Sequence, residues 1–413
     1  MRFVLDKDDK LKFTEKHCDS ALLGWFKLRG IVMKRILCFL LVAIMLVSLA
    51  SCAETDNTES KTESAEESKQ PPKRPVINGI DLSEFTVVYK KNSDAAQFKT
   101  VALEFIEYVK SNFGFELDYR SDLVPKKGNE IIFGSTERRE ACADMISDYG
   151  FGGYKLAIKE NNVVVASSYA TGCYAGYKEL INMIEESKDG IFTNCEKSGE
   201  AKVIKVACVG DSITQGINSA DPTKTYPNYL QNMLGLEYYV LNAGLSGYSI
   251  VSTDEYAYCK SQQYVDAKAL KADVVIFNLG TNDANPTPTQ PYKNWDNTAN
   301  DRENKFIQST KDLLDSFKTA NPDCQIYVCL PSSLFAVAGD QWGAEAWTAN
   351  IVKHSHPLLK QIANDYGYPT IDLFDWSKEH SEVFTDGLHP KDETYEVYAK
   401  YIYDSIKETI KKP

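Results

Sequence analysis

From Ala201 onward, short unbroken apolar runs alternate with longer stretches in which apolar residues return every three or four positions. The runs Val203–Val209, Tyr238–Asn242, Asp273–Leu279, Gln325–Leu330 and Pro369–Leu373 read as strands. Helices are predicted at Tyr226–Leu234, Asp301–Ala320, Ala344–Tyr366 and Glu393–Lys411. Strands this continuously apolar are buried on both faces, which is the habit of a parallel sheet covered by helices. The expected fold is α/β: a flavodoxin-like doubly wound parallel sheet, with its site at the carboxyl ends of the strands.

A different rhythm precedes it. Phe85–Tyr89 and Glu130–Phe133 read as strands, and Tyr154–Ile158 with Asn162–Ala166 as a hairpin. Phe98, Val101, Ala102, Phe105, Ile106 and Val109 fall on one helical face, and a second helix is predicted over Tyr174–Glu186. Residues 76–200 are therefore expected to form a smaller α/β domain ahead of a catalytic domain at 201–413. Its layout resembles the small domain that precedes the catalytic domain in some polysaccharide-degrading glycosidases.

The N-terminus carries an address. Lys34-Arg35 is followed by an apolar run from Ile36 to Ala50 and then Ser51-Cys52. That run is shorter than the ~20 residues a bilayer-spanning helix needs, and its flanks are those of a secretory signal over 33–52. Leu49-Ala50-Ser51-Cys52 resembles the lipobox of bacterial lipoproteins, which implies cleavage before Cys52, lipid attachment to its thiol and an extracytoplasmic enzyme anchored to the membrane. Residues 1–32, with scattered Lys, Asp and Glu, are out of place before a signal, so translation is expected to begin at Met33. Residues 53–75, rich in Glu, Ser, Thr and Lys, read as a flexible tether.

Charge and cysteines narrow the function. The net charge is −12, and residues 1–52 hold nine Lys/Arg against five Asp/Glu, so −16 falls on the chain from Ala53. A surface that acidic repels phosphate backbones, and no nucleic-acid partner is expected. Ten cysteines include no C-x-x-C pair. Cys324 and Cys329, about 16 Å apart along one strand, are too distant to bridge. His354 and His356 point to different sides of their helix and have no acidic or thiol neighbours in sequence, so no metal is expected. Gly150-Phe151-Gly152-Gly153 reads as a turn, and no cofactor is expected.

Candidate chemistry gathers past the strand ends. Gly210-Asp211-Ser212 follows the first strand, Gly244-Leu245-Ser246-Gly247 the second, Gly280-Thr281-Asn282-Asp283 the third and Asp386-Gly387-Leu388-His389 the fifth. A serine hydroxyl needs a base to take its proton, and an imidazole needs a carboxylate to orient it. Ser212, His389 and Asp386 supply these. The Ser212 and Gly247 N–H groups and the Asn282 amide are candidate oxyanion donors. Ser246 is a rival nucleophile, more simply a support for the Gly247 loop, while Asp211 and Asp283 are expected to bond their own loops. Trp295, Trp342 and Trp347, in loops at the same edge, are candidate sugar platforms. No G-x-S-x-G elbow occurs.

These four motifs, in this order, resemble those of the SGNH (GDSL) serine hydrolases over 201–413. The chain departs from many relatives after the last motif, where Lys391-Asp392-Glu393-Thr394-Tyr395 stands in place of their Asn and Gly-Tyr pair. The resemblance implies an esterase that removes O-acyl, chiefly O-acetyl, groups from carbohydrate. A lipid esterase or thioesterase, an acyl transferase to a sugar hydroxyl, and an idle glycan-binding lipoprotein are the alternatives.

Overall fold

The computed structural model describes residues 73–413 apart from 92–94, 137, 139–148, 188, 287–292 and 341. The signal, Cys52 and most of the tether lie outside the described residues, among which no helix is long and apolar enough to cross a membrane.

The small domain begins with β1 (Val76–Ile77), β2 (Ile80–Asp81), β3 (Phe85–Tyr89) and α1 (Ala95–Phe113). It continues through β4 (Tyr119–Ser121), β5 (Asn129–Phe133), β6 (Gly153–Lys159), β7 (Asn162–Ala166), α2 (Ala170–Glu186), β8 (Ile191–Phe192) and β9 (Cys195–Glu200). Six of its strands form one mixed sheet, ordered β4-β3-β5-β7-β6-β9. Strands β4, β3, β5 and β7 run parallel, β6 turns back antiparallel, and β9 pairs antiparallel with β6 and so runs with the first four. The apolar face predicted for α1 packs its Phe98, Val101 and Phe105 on Val87, Ile131, Phe133 and Val165 of the sheet. Strands β4 and β9 escaped the sequence reading because their residues are mostly polar and none is fully buried.

The second domain starts at β10 (Ile204–Gly210), which leads into α3 (Ser212–Gln215), α4 (Tyr226–Leu234) and β11 (Tyr238–Gly244). Then come α5 (Gln262–Ala269), β12 (Val274–Asn278), α6 (Arg302–Ala320), β13 (Gln325–Leu330), α7 (Ala344–Asn350) and α8 (His356–Tyr366). It closes with β14 (Thr370–Asp372), α9 (Leu373–Glu379) and α10 (Asp392–Ile406). All five strands are parallel and ordered β11-β10-β12-β13-β14, the flavodoxin order.

Burial on both faces explains the unbroken apolar runs. Val206 and Cys208 of β10 and Ile276 of β12 face Tyr226, Leu230, Tyr398 and Ile402 of α4 and α10. Ala207, Val209, Val275 and Phe277 face Leu313, Phe317 and Leu359 of α6 and α8 on the opposite side. The long helix expected over 344–366 is divided: a π-helical turn at Ile351–Ser355 separates α7 from α8, whose first turn holds Pro357. Proline has no N–H to continue the preceding ladder. The last motif also stands farther from its strand than expected, because α9 and a 3₁₀ turn intervene between Asp372 and Asp386.

Strand β11 is an edge, and a buried glutamine occupies it. The Gln231 amide donates to the Gly235 and Tyr238 carbonyls at 2.9 and 2.8 Å, while its oxygen accepts from the Val240 N–H at 2.8 Å. Replacing it by leucine keeps the volume and removes the partner of the Val240 N–H and the Tyr238 carbonyl. Gln231→Leu is expected to lower stability by about 1–3 kcal/mol in denaturant unfolding; an unchanged midpoint would show that the edge does not need the amide.

Candidate active site

The short helix α3 stands where β10 ends. Its cap is Asp211, whose carboxylate accepts from the Ile213 N–H at 3.1 Å. Burial pushes this carboxyl up to about 7, against the lowering effect of that bond. Ser212, the first residue of α3, has an N–H that the helix itself leaves without an acceptor. Gly244 lets β11 run close underneath: a Cβ there would lie 2.1 Å from the Gln215 nitrogen.

Three side chains meet in line. The Ser212 hydroxyl donates to His389 Nε2 at 2.9 Å, and His389 Nδ1 donates to Asp386 Oδ2 at 2.9 Å. Ser212 and His389 are buried, whereas Asp386 is half-buried. The same Asp386 Oδ2 accepts from Asn218 Nδ2 at 2.9 Å, and its Oδ1 accepts from the Leu388 and His389 N–H groups at 2.9 and 2.6 Å. Burial alone would raise this carboxyl, but the hydrogen bonds from His389, Leu388 and Asn218 hold it below the ordinary carboxylate range. Gly387 makes the tight turn between acid and base possible, with φ +89° and the Phe335 carbonyl only 2.2 Å from where a Cβ would stand.

The expected oxyanion donors come from three loops. Gly247 is exposed, and its φ of +82° favours glycine; a Cβ would meet no protein atom. Asn282 donates from Nδ2 to the Tyr248 carbonyl at 3.1 Å, which links its loop to that of Gly247. Ser246 is exposed, and its N–H donates to Gln215 Oε1 at 2.7 Å.

Asp283 does not bond its own loop, as the sequence suggested. It reaches across to the loop after β11 and accepts from the Ile250 and Val251 N–H groups at 2.9 and 3.2 Å. Arg302, buried at the start of α6, lies 3.3 Å from Asp283 and binds Asp254 through two bonds of 2.6 and 2.9 Å. Burial raises the Asp283 carboxyl, and the Arg302 guanidinium pulls it back.

Two of the three candidate sugar platforms have structural places instead. Trp347 is buried with its indole N–H on the Thr281 carbonyl at 2.7 Å. Trp295 donates to the Asp283 carbonyl at 2.9 Å and stacks on His354. Lys293 on the Asn282 carbonyl (3.2 Å) and Asn350 on the Ala284 carbonyl (3.0 Å) complete the set. Each successive carbonyl from Thr281 to Ala284 thus receives a side-chain donor. Trp342 alone of the three reaches the candidate triad, with its indole N–H on the Asp386 carbonyl at 3.0 Å and its ring edge-on to His389 at 5.6 Å.

Sequence reading missed Asn218, Lys293, Arg302 and Asn350. Asn218 left one faint signal, since asparagine tolerates the left-handed backbone (φ +70°) that it adopts here. His354 and His356, against Trp295 and Phe374 respectively, lie in separate aromatic contacts.

A doubly wound sheet with a hydrogen-bonded serine, histidine and aspartate at its carboxyl edge has the fold of the GDSL-type hydrolases. Residues 208–397 match the GDSL-like Lipase/Acylhydrolase family. Over 221 residues it is 29% identical to the acetylxylan esterase of Xylanibacter ruminicola, a match covering 49% of this chain and 43% of that one. The chain therefore spans less than half the length of the curated relative it matches. Among solved structures it is similar to a carbohydrate acetylesterase family member from Sinorhizobium meliloti, at 20% identity, 50% and 99% coverage and TM-score 0.37. Another is a catalytic mutant of an acetylxylan esterase from Geobacillus stearothermophilus, at 18% identity, 50% and 96% coverage and TM-score 0.37.

If Trp347 holds the Asn282 turn rather than substrate, losing its N–H should act on turnover. Trp347→Phe is expected to lower kcat about fivefold, equivalent to about 1 kcal/mol for one hydrogen bond, with small and polymeric esters alike. A rise in KM confined to polymers would mark it as a substrate contact.

Proposed function

We propose that this protein is a serine esterase that removes acyl groups, chiefly acetyl, from carbohydrate, with Ser212 as nucleophile, His389 as base and Asp386 as its orienting acid. The observation that carries the reading is the in-line relay of two 2.9 Å hydrogen bonds from Ser212 through His389 to Asp386. His389 Nε2 takes the Ser212 proton as Oγ attacks the ester carbonyl carbon. The charge that develops on the carbonyl oxygen is met by the Ser212 and Gly247 N–H groups and the Asn282 amide. The tetrahedral adduct collapses, the sugar oxygen leaves with the proton from His389, and an acyl-serine remains. Water, deprotonated by His389, then attacks the acyl carbon, the serine recovers its proton, and the carboxylic acid departs. Throughout, the imidazolium is balanced by a carboxylate that its hydrogen bonds keep ionised.

Acetyl as the acyl group and carbohydrate as the leaving group are supported by the similarity to an acetylxylan esterase. We also propose that the enzyme works outside the cytoplasm, held to the membrane by lipid on Cys52; the basic flank, apolar run and Leu49–Cys52 ending support this.

Ser212→Ala should abolish hydrolysis of an aryl acetate, and full activity would place the nucleophile elsewhere. Asn282→Ala should keep the fold and lower kcat by about 10²–10³ through loss of one oxyanion donor. A preference for acyl chains of eight or more carbons (on the order of a detergent tail) would favour the lipid esterase instead.

A further inference from the structure

Two clefts open along the edge of the catalytic sheet. One, of about 330 Å³, lies between the small domain and β11; it is lined by Gln97 and Tyr169 from the former and by Asn228, Asn232, Tyr239 and Asn242 from the latter side. The second, of about 440 Å³, lies beside α3 and includes Gln215, Gly216, Ser219 and Gly244. Pro222 and Asn242 line both, so the two adjoin. The second cleft is tied to the segment that carries Ser212 and to the Gly247 loop. The Gly216 and Ile217 N–H groups bond the Ser212 carbonyl, and Gln215 holds the N–H of Ser246, the residue before Gly247.

We infer that these two adjoining clefts together form a binding site for a neutral polysaccharide chain, and that the small domain forms its far wall. The inference takes its ester substrate from the proposed function. Its chemistry stands on three observations. In a chain of net charge −12, no charged side chain occurs among the described residues lining either cleft. Phosphate-bearing ligands would need cations there. The lining mixes side-chain amides and hydroxyls with the partly exposed rings of Tyr169 and Tyr239, a combination that offers hydrogen bonds to sugar hydroxyls and flat faces to sugar rings. The Tyr169 ring is held by Phe151 at 4.4 Å and Tyr239 at 5.5 Å, so one aromatic cluster spans the two domains.

A peptide adding as a strand to β11 is disfavoured, because Gln231 already occupies the Val240 N–H and Tyr238 carbonyl of that edge. The wall is also preformed. In the loop that joins the clefts, Ser219 Oγ and the Ala220 N–H both donate to Asp392, at 3.0 and 3.1 Å. The Tyr395 hydroxyl donates to the Ile217 carbonyl at 2.8 Å. A groove held this way loses little freedom when a chain enters it.

The test compares esters of increasing length on the full chain. Wild type should show kcat/KM per acetyl rising about tenfold or more, or about 1.4 kcal/mol, from acetylated xylose to acetylated xylo-oligosaccharides. Gln97→Ala/Asn232→Ala, and separately Asn232→Trp to fill the cleft, should lose that rise while keeping aryl acetate turnover, which also reports an intact fold. A length dependence unchanged in both variants, or absent in wild type, would overturn the inference. Wild type inert toward aryl acetate would instead sink the esterase reading. In that event, calorimetric binding of unsubstituted xylo-oligosaccharides to wild type and its loss in Asn232→Trp would still support the groove, and no binding to wild type would overturn it.

Discussion

In a parallel sheet every strand ends at the same edge, and here that constraint positions nearly all of the chemistry. Ser212 and His389 are 177 positions apart in sequence yet share a hydrogen bond. The strand order places β10 between β11 and β12, so the first three loops open side by side where the winding reverses. The Ser212, Gly247 and Asn282 groups therefore start as neighbours before any side chain is chosen. Only the last motif needs additional chain to reach them, and α9 with its following turn provides it.

Adjacency alone would leave those loops loose, and buried polar groups fix them. Asp283 sits one residue past Asn282 and grips the backbone of the Gly247 loop, while Arg302 ties Asp283 to Asp254. Three buried charges are tolerable only because the two carboxylates share Arg302; removing the guanidinium would leave both uncompensated, a cost of about 3–5 kcal/mol. From the opposite side, Trp347, Lys293, Trp295 and Asn350 each hold one carbonyl of the Asn282 turn. Donors that must meet charge as it forms gain from being fixed beforehand. The two tryptophans thus support the proposed chemistry from beneath.

The small domain and the loop after α3 give the groove its second wall. That loop serves two ends at once. Asn218 meets Asp386, and Ser219 and Ala220 meet Asp392 at the start of α10. One segment therefore braces the acid of the candidate triad and frames the entry to the interdomain cleft.

The order and type of the main elements were legible in the sequence because they rest on local periodicity. The Gln325–Leu330 strand and the Tyr226–Leu234 helix have the predicted bounds, since two-sided burial demands apolar runs and one-sided burial a helical repeat. Ser212, Asp386, His389, Gly247 and Asn282 could be named for the same kind of reason: each lies in a short motif whose residue types suit one reaction. The roles of Asn218, Arg302, Trp295 and Trp347 were not legible. An indole beside a strand end is equally suited to a sugar ring and to an orphan carbonyl, and only the path of the chain decides which it meets. The sequence alone determined which groups the site could contain; the tertiary structure decided which of them face each other, because hydrogen bonds between distant loops depend on strand order and burial that no local pattern encodes.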